Sequence, residues 1–140
     1  VVGTLECLAG RGVRLGLCTN KPGRATGLIL EGLGLARLFE AVAGGDALPH
    51  RKPDGRHLAH VLERLGVEPG GRVARAAPTR AAMVGDNAHD VAVARACGVL
   101  SVAVSYGYPR MPIADLAADA VIDRFDELPA ALGRLAGRAV

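Results

Sequence analysis

The chain has 140 residues, half of them hydrophobic, only four aromatic, and a net charge of +3. That is one domain's length, residues 1–140, with a core that Ala, Val and Leu must build, and it is a poor basis for a nucleic-acid surface. No apolar run is long enough to cross a bilayer and no charged-then-apolar leader is visible, so a cytoplasmic protein away from the membrane is the expectation.

Residues 1–11 read as the end of a helix, with Leu5 and Leu8 on one face and Gly12 as its stop. Val13 to Cys18 reads as a buried strand, closed by Thr19-Asn20-Lys21-Pro22. A helix follows from about Arg24 to Leu33, and Gly34 ends it. Ala41-Val42-Ala43 is a short strand before Gly44-Gly45-Asp46. His50 to Asp54 is a loop, with Asp54 as N-cap of a helix over 56–65 that carries Leu58, Val61, Leu62 and Leu65 on one face. Residues 66–80, rich in Gly, Pro, Arg and Ala, read as a connection or loose insertion. A strand at 81–85 leads into a helix at 88–97, stopped by Gly98. Leu100 to Val104 is a strand with a loop at Ser105-Tyr106-Gly107-Tyr108-Pro109. A short helix near 113–118, a strand at 120–122 and a helix from about 126 complete the order. Strands alternating with helices predict an α/β, Rossmann-like parallel sheet covered on both faces.

Cys7, Cys18 and Cys97 show no close-pair spacing and read as reduced, small core residues. His50, His57, His60 and His89 have no metal-ligand spacing and read as surface residues. Among seventeen basic residues only Lys21 and Lys52 are lysines.

Three polar clusters follow apolar strands or the loops after them: Thr19-Asn20, Lys52-Pro53, and Asp86 with Asp90. In a parallel sheet such positions converge on one rim. A hydroxyl, an ammonium and a strand-end carboxylate suit phosphoryl transfer, in which catalysis is mainly positioning and stabilisation of spreading negative charge. Thr19 can donate to a phosphoryl oxygen, Lys52 can neutralise charge, and Asp86 suits a hard cation such as Mg²⁺. Each residue also has an ordinary structural reading. Thr19-Asn20 could end a strand and cap a helix. Lys52-Pro53 could be a surface-loop dipeptide. Asn87 and Asp90 could form a capping box.

Taken in order, strand–Thr–Asn, Lys–Pro and strand–Gly–Asp–x–x–x–Asp resemble the second, third and fourth motifs of the haloacid dehalogenase superfamily. More narrowly, Leu17 to Pro22, Gly44-Gly45-Asp46, Arg51-Lys52-Pro53, Val84-Gly85-Asp86 and Tyr106-Gly107-Tyr108 look like the phosphoglycolate phosphatases. The resemblance implies a Mg²⁺-dependent phosphate monoester hydrolase acting through an aspartyl-phosphate on a small phosphorylated metabolite such as 2-phosphoglycolate. By the motif match Thr19 would bind the phosphoryl group with Asn20 beside it, and Lys52 would stabilise its charge. Asp86 would ligate Mg²⁺, and Asp90 would orient Lys52 or a metal-bound water.

The family's first motif, Asp-x-Asp-Gly-Thr after an apolar strand, does not occur in these 140 residues, and no Asp-x-Asp occurs at all. Nor does the sequence match the helical cap that follows this motif. The expectation is a core truncated at its N-terminus, with no cap domain and little phosphatase activity alone, since covalent catalysis needs its nucleophile. In the family that strand lies between those ending at Thr19 and Asp86. Its absence would leave two unpaired edges, and a family-like arrangement with an altered or closed gap is expected. A different class of reading is a non-catalytic or split-protein half that binds a partner supplying the strand; an N-terminal fragment or a second copy are the partners considered. A receiver domain would need its acceptor aspartate before the Thr and Lys, and no P-loop pattern occurs.

Overall fold

The computed structural model describes residues 1–67 and 81–138. Among the described residues five α-helices and five strands follow in the expected order, with only a 3-10 turn between the last two strands: α1 Val2–Gly10, β1 Gly16–Cys18, α2 Gly23–Gly32, β2 Ala41–Ala43, α3 Gly55–Arg64, β3 Ala82–Gly85, α4 Ala88–Ala96, β4 Leu100–Val104, β5 Ala120–Ile122 and α5 Leu128–Arg138. Most of the 66–80 connection, from 68 onward, lies outside the described residues. The short helix near 113–118 is a 3-10 turn over Ile113–Leu116. Positive φ angles at Gly12 and Gly98, both predicted as stops, end α1 and α4 in the left-handed region that glycine tolerates.

All strand pairs are parallel, with helices on both faces. Along β4, Val102 and Val104 pack with Leu8 of α1 and Leu128, Ala131 and Leu135 of α5. Ala103, pointing the other way, packs with Val91 of α4. A second core joins Cys18, Ala41 and Ala43 to Leu58, Val61 and Leu62 of α3 and to Val93 and Cys97.

The first strand is shorter than the sequence suggests. Val13 is 41% exposed, and pairing begins only at Gly16, opposite Ala41. Val13 N–H still serves the end of α1, donating to Leu8 O, and Arg14 leaves the strand line to bond Leu65 O and Glu40.

Of the altered or closed gap expected between β1 and β3, closure does not occur. β1 pairs with β2, while β3, β4 and β5 form a separate sheet in that order. What unites the two sheets is side-chain packing. α3 lies on β1 and β2, α4 lies on β3 and β4, and the two helices pack on each other. β1 is seated so closely under α3 that a Cβ at Gly16 would come within 2.6 Å of Val61 Cγ1.

Candidate functional site

The C-terminal ends of β1, β2 and β3 carry the polar clusters, as a parallel sheet requires. Thr19 N–H donates to Ala43 O at 3.0 Å, extending the β1–β2 ladder by one residue. Thr19 Oγ1 accepts from Lys21 N–H at 3.2 Å, which leaves the hydroxyl proton for another acceptor. Asn20 Nδ2 donates to Lys52 O at 2.9 Å, and Asn20 Oδ1 is buried without a partner. The Lys52-Pro53 peptide is cis.

Lys52 Nζ lies 2.6 Å from Asp90 Oδ1, and both side chains are almost buried, 11% and 9% exposed. Asp90 Oδ2 accepts from Asp86 N–H and Asn87 N–H, each at 3.1 Å. Asn87 is the N-cap of α4, its side chain accepting from His89 N–H at 3.2 Å. Asp90 is therefore both a capping-box residue and the lysine's counter-ion. A Cβ at Gly85 would collide with the Asp90 carboxylate, so only glycine lets the strand end approach it.

Asp86 is held from the other side. Tyr108 N–H donates to Asp86 Oδ2 at 2.9 Å, and Gly107 packs so tightly that a Cβ there would collide with the Asp86 side chain. The Tyr106-Gly107-Tyr108 loop thus fixes this carboxylate through its backbone, while the Tyr108 ring is 92% exposed.

One run of contacts joins Asn20, Lys52, Asp90 and the backbone of Asp86, spanning two sheets that share no ladder. Thr19 sits beside it at the end of β1, and the Asp86 carboxylate is anchored by the 107–108 turn. Two sequence expectations are corrected. His57 is fully buried, not on the surface, and holds the backbone of Lys52 and of Gly44. Its signal was its place on the apolar face of α3, next to Leu58 and four residues before Val61. Cys7 is exposed rather than in the core, whereas Cys18 and Cys97 are buried. Burial pushes the Cys18 thiol up to about 11, with the Lys52 charge opposing, so this thiol beside the site stays protonated and is a poor nucleophile. The Tyr108 backbone donor was not foreseen: the sequence marked Tyr106-Gly107-Tyr108 only as a loop of the family resemblance.

Residues 1–98 match a family model described as haloacid dehalogenase-like hydrolase. The chain is 50% identical over 129 residues to a phosphoglycolate phosphatase of Rhodospirillum rubrum, covering 92% of this chain and 50% of that protein. It is 39% identical to a phosphoglycolate phosphatase of Agrobacterium fabrum, covering 94% of this chain and 53% of the other. Among solved structures, a predicted phosphoglycolate phosphatase from Haemophilus somnus superimposes with a TM-score of 0.82 at 30% identity, covering 94% of this chain and 55% of that one. A HAD phosphatase from Thermococcus onnurineus gives 0.75 at 32% identity, covering 94% and 56%. The chain spans about half the length of the curated relatives it matches. With a family model matched over more than half its residues, it belongs to the haloacid dehalogenase-like hydrolases.

Proposed function

We propose that this chain carries the phosphoryl- and metal-binding half of a Mg²⁺-dependent phosphate monoester hydrolase of the phosphoglycolate phosphatase type. The observation that carries the reading is the run Asn20–Lys52–Asp90–Asp86, which gathers the ends of β1 and β3 and the Lys-Pro loop at one rim. Lys52 is held by Asp90 as a fixed cation for a phosphoryl group, and preorganised charge of this kind costs no reorganisation during reaction. The Thr19 hydroxyl donates to a phosphoryl oxygen. Asn20, whose Oδ1 is a buried acceptor without a partner, lies beside it.

The residues fit Mg²⁺. Asp86 offers a hard carboxylate at a strand end, cradled by Gly107 where a Cβ would intrude. Among the described residues no three His, Cys, Asp or Glu side chains converge. A cation held by Asp86 would therefore draw further oxygens from water and phosphate, as Mg²⁺ does with one or two carboxylates. When bound, it would supply charge neutralisation on the phosphoryl oxygens. The 140 residues contain no Asp-x-Asp pair, so turnover through an aspartyl-phosphate needs a nucleophile from elsewhere. The substrate class is a small phosphorylated metabolite, 2-phosphoglycolate by resemblance, and the compartment is the cytoplasm.

The test is titration of the chain with inorganic phosphate and Mg²⁺, followed by NMR. Signals of Thr19, Asn20, Lys52 and Asp86 shift together, and the shifts are lost in Asp86→Ala and Lys52→Met. Shifts elsewhere, or shifts that survive both substitutions, would refute the reading.

The second reading, a half that binds a partner strand, is favoured by the separate sheets. Among the described residues β1 and β3 each pair on one side only, although both pack under the α3–α4 layer. Such edges accept a strand by backbone pairing. A tagged chain would then retain an N-terminal half bearing Asp-x-Asp in a pull-down, and failure to do so at micromolar concentrations would count against it.

A further inference from the structure

The reaction proposed above uses no histidine, yet His57 is among the largest side chains fully buried in the protein, at 0% exposure. It stands in the first turn of α3 and meets two backbone groups. Lys52 N–H donates to Nδ1 at 3.2 Å, and Nε2 lies 2.9 Å from Gly44 O. A backbone N–H can only donate and a carbonyl can only accept. The two partners therefore select one form of the ring, neutral with its proton on Nε2.

The two groups it joins lie toward the two ends of the single connection between β2 and α3, which carries Lys52. Gly44 follows β2, and Gly45 next to it packs against Asn20 O so closely that a Cβ would collide. Asn20 closes the circuit by donating to Lys52 O. Lys52 is thus held at three points: its N–H by His57, its carbonyl by Asn20, and its ammonium by Asp90. Burial, assisted by the Lys52 charge, lowers the tendency of His57 to take a second proton, in keeping with the neutral form.

We propose that His57 is a positioning residue for Lys52, fixing through its Nε2–H tautomer the backbone from which the Lys52 ammonium reaches Asp90. Its consequence for chemistry rests on the reading of Lys52 as the phosphoryl-facing cation. A side chain kept only to fill space would be replaceable by an apolar one of similar size. Positioning instead needs an acceptor where Nδ1 stands.

The experiment is NMR on the 140-residue chain, reading the His57 ring nitrogens and the exchange of the Lys52 ammonium protons. The expected result is a ring protonated on Nε2 alone, with Nδ1 coupled to the Lys52 amide. The Lys52 ammonium is expected to exchange roughly tenfold faster in His57→Leu, the order of one lost hydrogen bond. In His57→Asn, whose carboxamide oxygen can take the Nδ1 place, slow exchange is expected to return. An Nδ1–H or doubly protonated ring in the unsubstituted chain near neutral pH would overturn the proposal. So would a His57→Leu chain with unchanged Lys52 exchange, or a His57→Asn chain as fast as His57→Leu. If His57→Leu does not fold, the ring protonation in the unsubstituted chain still decides. Added inorganic phosphate with Mg²⁺ separates the two readings. A Lys52 signal that ignores phosphate while the ring and exchange results hold refutes the phosphoryl reading and leaves the positioning role standing.

Discussion

Asp90 binds Lys52 with one carboxylate oxygen and two backbone N–H groups with the other. Removing it leaves a nearly buried ammonium and two amides without their acceptor. Breaking a buried pair from one side costs about 3–5 kcal/mol, so Asp90→Ala should lower the urea-unfolding free energy by about that much. A loss under about 1 kcal/mol would mean that water replaces the carboxylate. His57 adds a pH dependence. Its pKa is held below the ordinary value, first by burial and then by the Lys52 and His60 charges, with the Gly44 and Ala43 carbonyls opposing. An unfolded imidazole titrates near 6.5, so below about that pH the unfolded chain binds a proton that the folded chain refuses. Stability is fully present above that value and falls as the pH drops toward the folded pKa. The urea midpoint should decline as the pH falls below about 6.5, and this component should vanish in His57→Asn. At this scale the sequence revealed the charged residues, because their order and spacing are unusual together. It did not reveal the task of His57, which is to hold two backbone groups eight residues apart in the loop before its own helix. Nor did it separate the two roles of Asp90, since a capping box and a lysine partner use the same carboxylate.

The helices were legible from their stops and apolar faces, and α4 shows why its start was clear. Asn87 accepts from His89 N–H, and Asp90 reaches back to Asn87 N–H. Asn87→Ala removes one cap bond and should cost about 1 kcal/mol, with faster hydrogen exchange in the first turn of α4. Unchanged exchange there would show that Asp90 alone secures the helix start. The strands were less legible. Val13 looks like the start of a buried strand, but Gly12 turns the chain and Val13 N–H is taken by α1. Pairing between strands is a tertiary property, so no local pattern could reveal that β1 and β3 stay apart. Helices α3 and α4 and the Lys52–Asp90 pair do the joining instead.

At the scale of the whole chain, the described residues form a family core in two parallel sheets, matching relatives about twice its length. It gathers cation, hydroxyl and carboxylate at one rim, and it has two strand edges that do not pair with each other. On the proposed reading it binds phosphate and Mg²⁺ but lacks the aspartate that would be phosphorylated. The measurement that tests this most directly is hydrolysis of a generic aryl phosphate with Mg²⁺, by the chain alone and with an N-terminal half bearing Asp-x-Asp. The account predicts little or no turnover alone and Mg²⁺-dependent turnover with the added half, abolished by Asp86→Ala. Turnover by the chain alone at rates comparable to intact family members, and abolished by Asp86→Ala, would contradict it.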